Sequence, residues 1–409
     1  MDQTVTSSCK AANAAEDIIS DLPRELIDRI LGCMPIRDVA RTSVLCRKWR
    51  CIWATHPRLI LDGQFCQETI ENKPFIPQNF VNVINKIFRL HSGPILEFYL
   101  KIPFSIGTDQ NADIDHWILI LSRNGIKKLT FFCVSPLAYK LPPSIFSCSQ
   151  LTGLRLWNCI LKPPHGTDVL GTLFSSAPLL EDLIISECVG IEHFNIHAPA
   201  LKYLMLMGSR EFKSISFKNS PNITMLTILL NAKVDNPEWG KTTNLIELVA
   251  SLPRIKVLML DKFVLKVLAA GTVSKRSPAI KHLWYLHLAD INFDDLDQIS
   301  CIMCLLESSI NLKQLHITAD EGTGKVMQPF FNFYKESDWI DLKLRIVRLI
   351  LDKSCSTAEF LFIEFLLAHC LILEKMLIEI DANEGCSISK KLMQLPRASQ
   401  RAEVILVQL

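Results

Sequence analysis

The stretch "LTGLRL", Leu151–Leu156, has the form L-x-x-L-x-L, a short strand whose alternate residues are apolar. With Ile, Val, Phe or Met allowed for Leu, the same template returns as "ILEFYL" (from Ile95), "IKKLTF" (Ile126), "LEDLII" (Leu180), "LKYLML" (Leu201) and "ITMLTI" (Ile223). It continues as "IKVLML" (Ile255), "LWYLHL" (Leu283), "LKQLHI" (Leu312), "LRIVRL" (Leu344) and "LEKMLI" (Leu373). In a chain that is 49% hydrophobic a single match means little, but eleven at steps of 21 to 32 residues mark a repeat. One unit cannot bury its own apolar face, so neighbouring units stack and share a core. The fold class expected is α/β, with a curved parallel sheet roughly 50 Å long at about 4.8 Å per strand.

The segments between strands fit such a sheet. "TDVLGTLFSSAPLLE" and "TTNLIELVASLPRIK" have helical spacing and run straight into a strand, and a helix is expected over 294–308. Charged, Gly- and Pro-containing stretches at 235–243, 271–278 and 320–328 read as irregular returns. The oiliest stretch, "EFLFIEFLLAHCLILEKM", is interrupted by Glu359, Glu364, His369 and Glu374, so it reads as a buried helix and strand and not as a membrane span.

Composition narrows the function. With 44 basic and 42 acidic residues the net charge is +2, which gives no drive toward nucleic acid or membrane. The first residues lack the charged and apolar regions of a signal peptide. Fourteen cysteines scattered over apolar positions point to reduced thiols and a nuclear or cytoplasmic setting. "EGTGKV" (321–326) departs from a phosphate loop, with Ala319 where Gly is needed and Val326 where Ser or Thr is needed. "HFNIH" (His193, His197) lacks the Glu of a zinc-protease helix, and Cys301 with Cys304 form a C-x-x-C without a second pair. No G-x-S-x-G occurs. The expectation is a chain with no catalytic site, no metal and no cofactor.

Ahead of the repeats lies "DIISDLPRELIDRILGCMPIRDVARTSVLCRKWRCIWATHP", residues 17–57, a cluster of short amphipathic helices. Leu26, Ile30, Ile27 and Leu31 span an apolar arc of about 140° at 100° per residue, wider than a small helical core needs. Part of that arc is therefore expected to face another protein. Between Arg41 and Arg58 there are five basic residues and no acidic one, which suits an acidic partner surface.

"DLPRELIDRIL", "MPIRDVARTSVLCRKWRCIW" and "HPRLILD" together closely resemble an F-box, in the form found in plant F-box proteins that carry leucine-rich repeats. That family usually has Ser where this chain has Cys46, a small-for-small change. "AEFLFIEFLLAHCLILEKMLIEI" followed by "PRASQRAEVIL" resembles the FBD region that closes many such proteins. The resemblance implies a disordered tail over 1–16, an F-box over 17–60, an irregular leucine-rich-repeat solenoid over 61–335, and an FBD region over 336–409 that continues the array. It also implies a substrate receptor of a Skp–cullin–F-box ubiquitin ligase. Such a receptor docks on a Skp-type adaptor, and through it on the cullin and RING subunit. It catalyses nothing itself, because its contribution is proximity and orientation. The alternative is a repeat scaffold or decoy whose F-box joins no ligase.

Adaptor contacts are expected at Leu22, Pro23, Leu26, Ile30, Val39 and Leu45, with Trp49 and Ile52 in the helical core. The target protein, which nothing in the sequence identifies, is expected on the concave face. There the residues flanking the apolar template positions are Arg155, Trp157, Tyr203, Met205, Met207, Tyr285, His287, Gln314 and His316. Such residue types favour protein binding. Trp157, Tyr203 and Tyr285 are expected at equivalent positions of different repeats.

Overall fold

The computed structural model describes residues 22–408 except 46, 71–75, 105, 107–110, 136, 164–167, 209–210, 231–243, 270–278, 321–341, 352–354, 381–390 and 393. The expected tail over 1–16, the stretch at 321–326 and the expected returns at 235–243 and 271–278 lie outside the described residues.

The chain opens with three short helices, α1 (Arg24–Gly32), α2 (Ile36–Arg41) and α3 (Arg47–Ala54), with a 3-10 turn at Thr42–Val44. It then enters strand β1 (Arg58–Leu61). Two helices follow, α4 (Gly63–Ile70) and α5 (Pro77–Leu90), and then β2 (Glu97–Ile102), α6 (Asn111–Arg123) and β3 (Lys128–Cys133). The central region holds β4 (Tyr139–Lys140), β5 (Gly153–Trp157), β6 (Cys159–Ile160), α7 (Val169–Ser176), β7 (Asp182–Ser186) and β8 (His193–Ile196). Next come β9 (Tyr203–Met207), β10 (Ser214–Phe217), β11 (Met225–Leu229), α8 (Leu245–Ser251), β12 (Val257–Asp261) and α9 (Lys262–Leu268). The last part contains β13 (Tyr285–Ile291), α10 (Leu296–Ser308), β14 (Gln314–Ala319), β15 (Ile346–Ile350), α11 (Thr357–His369), β16 (Lys375–Ile380) and β17 (Glu403–Gln408).

Thirteen of these strands form one sheet in the order β1-β2-β3-β5-β7-β9-β11-β12-β13-β14-β15-β16-β17, and β4–β6 and β8–β10 form two small ribbons. Every pairing in the large sheet is parallel. All eleven predicted units are strands of this sheet, and two more extend it at the ends. The end strands escape the template because its first apolar position holds His56 before β1 and Arg401 before β17.

The register stacks like upon like. Leu154, Leu183, Leu204, Leu226, Leu258 and Leu286 lie side by side on successive repeats, none more than 2% exposed. Their row and the next inward row meet the apolar faces of the helices in one continuous core, which runs from Ile27 in the front helices to Ala402. Because parallel strands need a return across one face, the helices cover that face and leave the other open.

Helix starts coincide with capping residues. Asp295 accepts from the backbone of Asp297 and Gln298, so α10 starts at Leu296 and not at Asp294. Ser356 and Glu359 form a reciprocal capping box on α11, which accounts for a carboxylate in its oily stretch. Asn244 and Glu247 do the same for α8.

At the strand ends Asn158, Glu187 and Gly208 occupy successive equivalent positions with φ of 52°, 53° and 66°, turning the chain out of the sheet. Gly190, at φ +94°, approaches the carbonyl of Leu161 so closely that a Cβ would lie 2.3 Å from its oxygen. Gly125, at φ +69°, has open space around the same position. Gly125→Ala should therefore carry only the left-handed penalty of about 1 kcal/mol. Gly190→Ala must also shift backbone, so its thermal midpoint should fall clearly further. Equal midpoints for the two variants would show that the approach at Leu161 is not constraining.

Candidate functional site

The front helices divide their apolar residues between two faces. Ile27 and Leu31 of α1 are buried, together with Val39, Trp49, Ile52 and Trp53. Leu26 and Ile30, one helical step around, are 44% and 45% exposed, and Val44 and Leu45 are 82% and 66% exposed. Leu22 is half-buried against the core, and Pro23 is exposed at the N-cap of α1. The expected contact set thus includes one residue the fold uses otherwise. Val39 is 1% exposed, because α2 turns it inward against the core, and it cannot reach a partner. Val44, in the turn next to Leu45 and outside the expected set, is the most exposed of these side chains.

Polar contacts hold this exposed face in place. Arg24 pairs with Asp28 at 3.0 Å and donates to Ile52 O and Thr55 Oγ1 at 3.3 and 3.1 Å, tying the start of α1 to the end of α3. His56, 2% exposed, places Nδ1 3.3 Å from Asp28, and burial lowers its pKa against the opposing pull of that carboxylate. Its carbonyl accepts from His91 Nε2 at 2.8 Å, and Leu96 N donates to Pro57 O at 2.8 Å. The helical module is therefore joined to the sheet by backbone and side-chain bonds. Of the basic run, Arg41 pairs with Asp38 and Arg58 with Glu97, while Arg47 and Arg50 are exposed.

The second surface is the open face of the sheet, which the strand register lays out in rows. Tyr203, Met225, Val257, Tyr285 and Gln314 form one row. Arg155, Ile184, Met205, Thr227, Met259, His287, His316 and Arg348 form the next. Trp157, Ser186, Met207 and Leu229 form a third. Tyr203 and Tyr285 are equivalent as expected, whereas Trp157 is not: it lies four residues further along its strand, and Gly153 occupies the equivalent place. Trp157 packs on Phe132 with centroids 5.5 Å apart, and Lys101 Nζ lies 5.8 Å from the Phe132 ring.

Charges on this face neutralise each other between neighbouring strands. Arg155 meets Asp182 at 2.5 Å, and Arg348 meets Glu379 at 2.7 Å. Between these pairs His287 and His316 stack with centroids 4.3 Å apart and planes 9° apart. Neither nitrogen of His287 has a hydrogen-bond partner, nor has His316 Nε2. Burial, then the neighbouring His316 and Arg348, hold the His287 imidazole down to about 4. Burial and Arg348 lower His316 as well, against Glu379. Met225, Val257, Met259 and Leu229 belong to the same surface and were not singled out in the sequence, although the alternation in "ITMLTI" and "IKVLML" places them there; Thr227, on the same side, is buried.

Other sequence features take structural roles. His193 lies in β8 and bonds to Ser214 Oγ at 2.8 Å, and Cys301 is buried on α10. Among the described residues no group of three His, Cys, Asp or Glu could hold a metal, and no helix is long and apolar enough to cross a membrane.

A neutral imidazole is favoured in the folded state, so the unfolded chain binds protons more readily between the folded pKa near 4 and the free value of 6.5. The stability associated with His287 is thus complete above about pH 6.5 and is lost as pH falls toward 4. His287→Phe, which keeps an aromatic ring on His316, should make the thermal midpoint less sensitive to acidification over that window. An unchanged pH profile would mean the ring is not held neutral by the fold.

The F-box domain family matches residues 19–61. An F-box/FBD/LRR-repeat protein of Arabidopsis thaliana is 31% identical to the chain, covering 96% of it and 99% of the relative. An FBD-associated F-box protein of Arabidopsis thaliana is 23% identical over the full length of both, and an F-box/LRR-repeat protein of that plant is 24% identical over 60% of this chain and 90% of its own. A helical F-box leading into a parallel repeat sheet, matched end to end by such a relative, makes this chain a member of the F-box/FBD/LRR-repeat family, a protein of the F-box substrate-adaptor type.

Proposed function

We propose that the protein is the target-recognition subunit of a Skp–cullin–F-box ubiquitin ligase. The F-box docks on the Skp-type adaptor, and the open sheet face holds a target protein for ubiquitination and degradation. The observation that carries this reading is the exposed apolar set Leu26, Ile30, Val44 and Leu45 within the F-box match. Four large apolar side chains on one small module are better explained by a partner than by water. Each gains about 1.5–3 kcal/mol when fully buried, enough together for a stable interface. The second surface supports the same reading. Tyr203, Met205, Tyr285 and Trp157 lie half-buried on strands that share a core with the F-box, so a bound target is held at a set place relative to the adaptor. The ubiquitin transfer itself belongs to other subunits, and this chain supplies proximity and orientation.

Leu26→Ala combined with Leu45→Ala should weaken adaptor binding at least tenfold while leaving the thermal midpoint nearly unchanged, since both side chains are exposed. Val39→Ala, by contrast, should lower stability by creating a void. Co-purification of the adaptor with the double variant at the native level would overturn the assignment of these side chains as the adaptor contact. For the target surface, Tyr285→Ala should reduce capture of ubiquitinated partners from cells with the proteasome blocked, with adaptor binding intact. Loss of neither would place target binding off the sheet.

A further inference from the structure

The open face has a central strip in which the charge runs out. In the row Tyr203, Met225, Val257, Tyr285, Gln314 no side chain is charged at neutral pH. In the row from Ile184 to His316 the only titratable groups are the two imidazoles, which burial holds neutral. Asp261, on the third row, is 1% exposed and caps α9 by accepting from Val264 N at 2.9 Å. Met205, Met207, Met225 and Met259 are four of the chain's ten methionines, and all are half-buried on this strip. Methionine is soft and polarizable and adapts to apolar partners.

The strip is bounded by cations that already have partners. Arg155 is held by Asp182 at 2.5 Å on one side, and Arg348 by Glu379 at 2.7 Å on the other. Within the strip, His287 Nδ1, His287 Nε2 and His316 Nε2 are buried without a hydrogen-bond partner. A buried polar atom left unsatisfied is destabilising, so a partner that repacks the stack and brings a donor or acceptor to it would be favoured.

We propose, resting on the reading that the open face binds the target, that the recognised part of the target is an uncharged apolar segment. Its Leu-, Met- or Phe-type side chains lie on the methionine strip, and one hydrogen-bonding group is set against the His287–His316 stack. An acidic or phosphorylated segment would have to displace Asp182 or Glu379 to gain a cation. A basic segment would find tyrosine and methionine and no free carboxylate on these two rows. The dimensions suit a short segment. Tyr203 to Gln314 is four strand steps of about 4.8 Å, roughly 19 Å, and three rows span about 13 Å along the strands. One helix, about 10–12 Å across, covers that area.

The test is selection of phage-displayed random 16-residue peptides on the full-length chain, beside a synthetic phosphoserine peptide library. Selected peptides should be rich in Leu, Met and Phe and poor in Asp, Glu, Lys and Arg. Their binding should fall at least tenfold in Met205→Lys and in Met259→Lys, several-fold in His287→Phe, and less than twofold in Arg155→Ala and Arg348→Ala. If a lysine variant lowers the thermal midpoint, Met205→Ala and Met259→Ala give the same readout with smaller losses. Preference for acidic or phosphorylated peptides, lost in Arg155→Ala or Arg348→Ala, overturns the apolar segment while keeping the sheet face as the binding surface. Selected peptides indifferent to every open-face substitution overturn the sheet face itself. No enrichment from either library overturns recognition of a linear segment.

Discussion

Everything in this molecule depends on the lateral alignment of its inward leucines. A parallel ladder places residue beside equivalent residue, so a leucine at one template position meets leucines from the units on both sides. A one-residue slip of any strand would send its leucines to the open face and its polar residues into the core. The register is therefore held by burial, and it fixes the open face at the same time. Tyr203 lies beside Met225, and Met205 beside Thr227, because Leu204 lies beside Leu226.

The same core reaches into the front helices. Strand β1 is the last part of the F-box match and the first strand of the sheet, so the two surfaces share a structural element. Buried His56 stands where other units carry their first leucine, and Asp28 reaches it from α1. The exposed apolar side chains of the front helices and the sheet are coupled through packing and hydrogen bonds, with only Thr55–Pro57 between α3 and β1. For the proposed role of orienting a target, that rigidity matters as much as either surface alone.

The open face separates two kinds of polar chemistry. Ion pairs between neighbouring strands, such as Arg155–Asp182 and Arg345–Glu374, lie partly in solvent, where such pairs contribute little to stability. They remove free charge from the face and so shape what can bind there. The His287–His316 stack is different in kind. Among the described residues both nitrogens of His287 and Nε2 of His316 are buried without partners, as are a few isolated oxygens elsewhere such as Ser144 Oγ; three such atoms in one stack are the densest group, and local exceptions of that sort tend to mark places of function.

The amino-acid sequence by itself determined the repeat, the eleven central strands, the placement of α7, α8, α10 and α11 between them and the identity of the front module. These follow from local periodicity and from motif residues that need no tertiary partner to be recognised. The end strands were hidden because His56 and Arg401 break the template, and only pairing with β2 and β16 reveals them as strands. Tertiary structure alone decided which apolar residues of one helix face inward. Leu26 and Ile27 are equally apolar neighbours, yet the core buries Ile27 and leaves Leu26 exposed. It also decided that Val39 is core, that Trp157 lies two rows away from Tyr203, and that two histidines 29 residues apart stack face to face. Periodicity tells which side of an element a residue occupies. What stands opposite that side depends on strand register and on packing between distant segments, and neither is written in any local stretch of the chain.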